Sequence, residues 1–265
     1  MTGPDAYVDL VSQGLVRNGA LSDAAFERLA AAEEASFWFR SRNRLLLWAF
    51  DTYFPAAGSM LEVGCGTGYV LSAIAASHPQ LSIAGSDLSG AGLRHARARL
   101  PQATLVRADA RELPFDEEFD VVGAFDVLEH VPEDYEALAA MHRALRPGGG
   151  LIVTVPQHRW LWSETDRWSG HQRRYSRREL AGKLAAEGFR LRFTTSFVSL
   201  LLPVMAASRA WGGLSRAPFD PSRELAVAPA VDGLLERAMR VEAAAIMRGV
   251  RFPAGGSLLA VAERV

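Results

Sequence analysis

Residues 60–70 read Met60-Leu-Glu-Val-Gly-Cys-Gly-Thr-Gly-Tyr-Val70, and this stretch constrains the fold more than any other. A short apolar run carries one acid, Glu62, and then Gly64, Gly66 and Gly68 alternate with other residues. Glycine lacks a Cβ, so the chain can turn tightly there with φ > 0 and let a ligand approach the backbone. A strand, a glycine turn and a helix starting near Thr67 aim unpaired helix N–H groups at that ligand. The chain must therefore contain a strand–turn–helix unit shaped for a nucleotide-like molecule.

The surrounding sequence extends that unit. Strands are expected at 60–63, 81–86, 104–107, 120–124 and 151–155, with helices at 67–76, 89–100 and 134–145. This alternation predicts a Rossmann-like α/β fold, a mostly parallel sheet with helices on both faces. Arg146-Pro-Gly-Gly-Gly150 stops the helix before it. Ser176 and Glu179 mark another helix start, and 190–196 and 257–262 bring the strands to seven. Ahead of the sheet, apolar spacing makes 21–54 helical, with Phe37-Trp38-Phe39-Arg40 between two helical segments. Residues 212–230, rich in Gly, Pro and Ser, read as a long loop. The expected organisation is a helical cap (1–56), a cofactor-binding core (57–196), a helical insertion (197–255) and a last core strand (256–265).

Composition narrows the class. The net charge of −1 provides no global attraction for nucleic acid. The one cysteine, Cys65, permits no disulfide within the chain, which fits a reducing cytoplasm. The longest apolar stretch, 197–207, is broken by Ser199 and Pro203, so no transmembrane segment is expected. No metal is expected. Lys183 is the only lysine and is expected on a surface helix, which argues against a catalytic lysine.

Two ligands suit the glycine turn, a dinucleotide or S-adenosylmethionine, and three features favour the second. The spacing is Gly-x-Gly-x-Gly rather than G-x-G-x-x-G. Glu62 would repel a pyrophosphate and welcome a cationic cofactor. The fourth strand runs into Phe125-Asp-Val-Leu-Glu-His130, a polar strand end of the kind that borders a reaction site. Asp87 closes the second strand, where a carboxylate can accept both ribose hydroxyls. Asp109 follows the third and can accept from an adenine amino group, with the N–H of Ala110 beside it. Ligands of open parallel sheets bind beyond these carboxyl ends.

Together Leu61–Gly68, Ser86-Asp87, Arg107–Ala110, Leu113-Pro-Phe115, Phe119-Asp-Val121, Leu128–Val131 and Leu145–Gly149 resemble the class I S-adenosylmethionine-dependent methyltransferases, in particular the quinone-biosynthesis type. The resemblance covers roughly 59–196. It implies a seven-stranded sheet whose last strand is antiparallel and inserted beside the sixth. It implies cofactor contacts from Glu62, Gly64, Gly66, Asp87, Asp109, Ala110 and Phe125, with Cys65, Gly68, Leu88, Asp126 and His130 in the same turns. Trp38 and Arg42, ahead of the first strand, are expected to close over the methionine end, Arg42 pairing with its carboxylate.

The acceptor side is expected between 156 and 175, which rises on the same rim. Trp160, Trp162 and Trp168 make this loop aromatic enough to line a pocket. His171 is the expected general base or substrate anchor and His130 a second candidate. Arg173, Arg174 and Tyr175 are expected to bind the acceptor, the two arginines gripping a carboxylate or phosphate. The insertion has one apolar helical face, Val231, Leu234, Leu235, Ala238, Met239, Glu242, Ala245 and Ile246. It is expected to act as a lid, a homodimer interface and shallow membrane docking being the alternatives.

The expected function is methyl transfer to an oxygen or nitrogen of a small organic substrate. Rival readings are transfer to a lipid- or polyprenyl-linked substrate at a membrane surface and a non-catalytic cofactor-binding partner protein. A nicotinamide oxidoreductase is disfavoured by Glu62 and by the absence of a Tyr-x-x-x-Lys pair. A nucleic-acid methyltransferase is disfavoured by the neutral charge and the lack of base-flipping strand ends.

Overall fold

The computed structural model describes residues 7–11, 23–212 and 228–265. A short β1 (Val8–Asp9) precedes two helices, α1 (Asp23–Glu33) and α2 (Phe37–Tyr53). The aromatic cluster expected between helices is instead the first turn of α2, because Ser36 caps it by accepting from the Trp38 N–H. Alternation then follows as β2 (Ser59–Val63), α3 (Tyr69–Ser77), β3 (Ser82–Asp87), α4 (Gly90–Arg99), β4 (Thr104–Arg107), β5 (Phe119–Phe125), α5 (Asp134–Ala144) and β6 (Leu145–Pro156). After a short α6 (Glu164–Trp168) come α7 (Arg177–Ala186), β7 (Phe189–Phe197), α8 (Leu202–Gly212), α9 (Pro229–Met247) and β8 (Ser257–Arg264).

The sheet has eight strands, not seven, in the order β1-β4-β3-β2-β5-β6-β8-β7. The extra strand, β1 (Val8–Asp9), pairs with Val106 and Arg107 at the edge. Two residues are too few to show any periodicity in the sequence. All pairings are parallel except those of β8, which lies antiparallel between β6 and β7 as expected.

Several expected boundaries move. The turn at 146–149 does not separate helix from strand; it bulges out of β6, whose register jumps from Leu145 to Gly150 opposite Phe119 and Val121. A Cβ on Gly150 would lie 1.9 Å from the Phe54 ring, so only glycine lets that ring lie on the sheet. The expected loop 212–230 is helical at both ends; 213–227 lies outside the described residues.

One sheet face is covered by α5 and α7 through Leu138, Met141, Leu180 and Leu184. The other is covered by α2, α3 and α9 through Leu46, Phe50, Ile74 and Ile246. Each such large apolar side chain, once buried, contributes about 1.5–3 kcal/mol. The expected apolar face of α9 holds only in part. Met239, Glu242 and Ile246 are buried, but Leu234 is 64% exposed. Glu242 sits inside because its carboxylate accepts from the N–H groups of Ser199 and Leu200, both at 2.7 Å. No helix among the described residues is long and apolar enough to cross a membrane.

Candidate active site

Beyond β2 the chain passes through Gly64, Gly66 and Gly68, all with positive φ. A Cβ on Gly64 would come within 2.5 Å of Val127, so the cradle closes only around glycine. The following helix begins at Tyr69, two residues later than expected, because Gly68 is left-handed and cannot join it. No side chain caps that helix, so its N-terminus is open to a ligand. Asp87 ties the turn down, accepting from Gly66 N–H at 2.8 Å and Ser89 N–H at 2.7 Å. Burial pushes its carboxyl up, and these backbone donors oppose that shift.

The turn forms one wall of a cavity of about 350 Å³, inside the ~300–1,000 Å³ range of small-molecule sites. Glu62 faces it, 3% exposed, with Oε2 lacking any partner. Burial pushes its carboxyl up to about 8, against the pull of the Arg42 guanidinium. A buried carboxylate oxygen without a donor is costly, so the site fits a ligand that brings an ammonium group. Leu88, Ala110 and Phe125 also line the cavity. Cys65 does so by its backbone turn, while burial pushes its thiol up and leaves it inert.

Other expected cofactor residues are arranged differently. Arg42 lines the cavity but pairs with Asp126, which also accepts from Thr154 Oγ1 at 3.2 Å. Arg42 Nε is buried without a partner, a donor held ready at the cavity wall. The carboxylate of Asp109 is gripped by Arg111, whose Nε donates at 2.9 Å, so an adenine amino group would share an occupied acceptor. Trp38 does not line the cavity: it stacks on Phe197 with ring centroids 5.7 Å apart. Gly68 is likewise outside the lining, and a Cβ there would press on Ala96 at 3.1 Å.

The sequence reading missed the roof. Phe26, Leu29 and Glu33 of α1 and Phe39 of α2 close the cavity. Apolar spacing marked α1 as a helix, but nothing in it shows which face meets the glycine turn. Among the described residues, no lining residue lies beyond Pro132.

That last observation corrects the expected acceptor side. Trp160 and Trp168 are 58% and 43% exposed and line no part of the cavity. Trp162 borders a separate cleft with Arg159 and Lys183. Arg174 is buried and bonds both oxygens of Asp166, at 2.7 and 3.0 Å. Arg173 pairs with Asp134 at 2.7 Å and donates to the Pro132 carbonyl. Tyr175 is fully buried, its hydroxyl donating to Asp134 at 2.7 Å. These groups answer one another rather than facing the cavity. Lys183 is no free surface lysine either, since it pairs with the same Asp134 at 2.7 Å. The described part of the insertion packs beside α2, where Asp232 and Glu236 of α9 hold Arg40, and it lines no part of the cavity.

His171 and His130 are brought together, ring centroids 4.7 Å apart in a T-shaped contact, and His130 lines the cavity. Nδ1 of His171 lies 2.8 Å from Asp166. A carboxylate only accepts, so Nδ1 carries the proton and Nε2 is left to accept. Despite its burial, Asp166 is held well below the usual carboxylate range by His171 and Arg174. Burial, reinforced by His171, pushes His130 down to about 4, so its ring is neutral at pH 7. Behind them Glu129 is fully buried with both oxygens unpartnered, and burial pushes its carboxyl well up. Glu129, His130 and His171 each bring a ligand-type atom within 4.8 Å of the others, a spacing that a cation could also bridge.

Known proteins give the same frame. The sequence pattern of the methyltransferase-domain family matches residues 60–149. A Mycolicibacterium smegmatis protein named a probable S-adenosylmethionine-dependent methyltransferase is 32% identical over 61% of this chain and 62% of its own length. The ubiquinone biosynthesis O-methyltransferase of Thiobacillus denitrificans is 38% identical over 43% of this chain and 51% of its own. The trans-aconitate 2-methyltransferase of Variovorax paradoxus is 35% identical over 40% and 41%. The chain thus spans about two-fifths to three-fifths of these relatives. In fold it is similar to phosphoethanolamine N-methyltransferase 2 of Haemonchus contortus, at a TM-score of 0.59 and 17% identity over 92% of this chain and 57% of that one. It is also similar to an S-adenosylmethionine-dependent methyltransferase of Thermotoga maritima, at a TM-score of 0.55 and 16% identity over 91% and 95%. The glycine cradle and the unpartnered Glu62 both lie within residues 60–149, the stretch that matches the methyltransferase-domain family.

Proposed function

We propose that this chain transfers a methyl group from S-adenosylmethionine to an oxygen or nitrogen of a small organic acceptor. The observation that carries the reading is Glu62, a buried acid facing the cavity with one oxygen unsatisfied beside a glycine-only cradle. In this reading Glu62 takes the ammonium group, Arg42 the carboxylate, Asp87 the ribose hydroxyls, and Asp109 with Ala110 the adenine edge. The bound cofactor supplies an electrophilic methyl group. The protein supplies orientation and a dry wall from Phe26, Leu29 and Phe39.

An acceptor hydroxyl or ammonium must lose a proton as it is methylated. We assign that proton to the His130–His171 pair, with Asp166 fixing the His171 tautomer and steadying the ring when it charges. Screening small acceptors for S-adenosylhomocysteine production tests the activity. With any acceptor found, H171A is expected to lower kcat about 10²–10⁴-fold, the usual worth of a general base, and to leave cofactor affinity unchanged. Unchanged turnover removes His171 from the chemistry. Loss of wild-type turnover on chelation, restored by a divalent cation, would instead give the His130–His171 cluster to a metal.

A further inference from the structure

Two acids of α1 fasten the roof of the cavity: Glu27, 3.5 Å from His95 Nε2, and Glu33. Glu33, in the last turn of α1, is 3% exposed, and both its oxygens are engaged. Oε1 accepts from Thr67 Oγ1 at 2.6 Å, and Oε2 accepts from Arg99 Nη1 at 2.6 Å. The same Arg99 Nη1 donates to Thr67 Oγ1 at 2.7 Å, and its guanidinium lies over the Tyr69 ring. Thr67 belongs to the glycine turn, and Tyr69 opens α3. Two turns earlier, Phe26 of α1 reaches the glycine turn itself: a Cβ on Gly92 would meet its ring at 3.0 Å, and one on Gly66 at 3.6 Å.

We propose that α1 is a gate over the cofactor cavity and that Glu33, through Thr67 and Arg99, is the positioning residue that latches it. The inference rests on the methyltransferase reading only for the identity of the molecule that passes. Three features support it. Phe26, Leu29 and Glu33 lie on the cavity itself. Among the described residues α1 is no part of the sheet's hydrogen-bonded ladder, so it can lift without breaking strand pairing. Beside the buried Phe26, the fastening is polar and charge-assisted, and Glu33 supplies two of its bonds, so weakening Glu33 changes how readily the helix opens. Charge-assisted bonds shielded from water hold firmly, yet they release together once one partner moves.

A latch and a ligand contact differ kinetically. Releasing a latch speeds entry and exit alike and leaves affinity nearly constant, whereas losing a ligand contact speeds exit alone. The test is stopped-flow binding of S-adenosylhomocysteine to wild type, E33Q and E33D, with hydrogen exchange of the α1 amides in the ligand-free proteins. In E33Q both rate constants are expected to rise about tenfold, the loss from one charge-assisted bond, with Kd within about threefold of wild type. E33D should fall between the two. The α1 amides of E33Q should exchange faster while those of β2 and β5 stay protected. Unchanged rates in E33Q, or a rise in the exit rate alone, overturn the latch. If wild type binds no S-adenosylhomocysteine, the methyltransferase reading falls. The exchange measurement then decides the latch, and unaltered α1 exchange in E33Q overturns it.

Discussion

The cavity around the turn at 64–68 and the segment 156–175 both gather chemically capable side chains, yet the structure uses them in opposite ways. Around the turn, buried polar atoms stay unsatisfied: Glu62 Oε2 and Arg42 Nε face a cavity with nothing opposite. In the later segment Arg173, Arg174 and Tyr175 find partners within the protein, Asp134 and Asp166. Around the turn the open valence faces a cavity, while these three side chains are closed off, although His158 Nε2 and Thr165 Oγ1 of the same segment stay unpartnered. Residue type alone does not separate the two; the partner does.

The largest way to break this comparison is Arg174→Met. If Arg174 only braces Asp166, losing one member of a buried ion pair should cost about 3–5 kcal/mol of stability, read by calorimetric melting. Cofactor affinity of the folded protein should stay within about twofold. A large loss of affinity with unchanged melting would place Arg174 in the site.

Next comes Glu62→Gln, which should weaken cofactor binding about 10–100-fold, the range for a hydrogen bond to a charged group. Its stability effect has the opposite sign. The folded protein holds the Glu62 proton up to about pH 8, whereas the unfolded chain releases it near 4.5. Between those values the folded state binds more protons, so wild-type stability falls as pH rises through the window. E62Q lacks that fall and should gain on wild type from pH 5 to pH 9 in thermal melts. A constant difference across that range contradicts the buried, raised carboxyl.

The smallest expected effect is Trp160→Ala. An exposed indole away from the cavity should change stability by no more than about 0.5 kcal/mol and leave the acceptor KM unaltered. A tenfold rise in KM would return this segment to the acceptor site.

Legibility in the sequence followed the same division. Strand alternation and the glycine turn are local patterns, so the succession of strands and helices and the positions of Glu62, Asp87 and Asp109 could be read directly. The placement of β8 between β6 and β7 followed only from the family resemblance. What stayed hidden depends on contacts between distant segments. Glu33 and Thr67 are 34 residues apart. Asp166 takes Arg174 from the cavity, and Asp134, on a helix 41 residues before Tyr175, takes its hydroxyl. The apolar stripe of α9 was visible, but its docking against α2, through Arg40, was not.

The central claim, that the open valence at Glu62 awaits a cationic methionine-type ligand, is met most directly by isothermal titration of the wild-type protein with S-adenosylhomocysteine and with NAD, at pH 6 and pH 8. The ligand's ammonium group favours the ionised Glu62, so the account predicts single-site binding of S-adenosylhomocysteine that is tighter at pH 8 than at pH 6, and no heat from NAD. Binding of NAD that S-adenosylhomocysteine fails to displace, or S-adenosylhomocysteine affinity that weakens as pH rises, would contradict it.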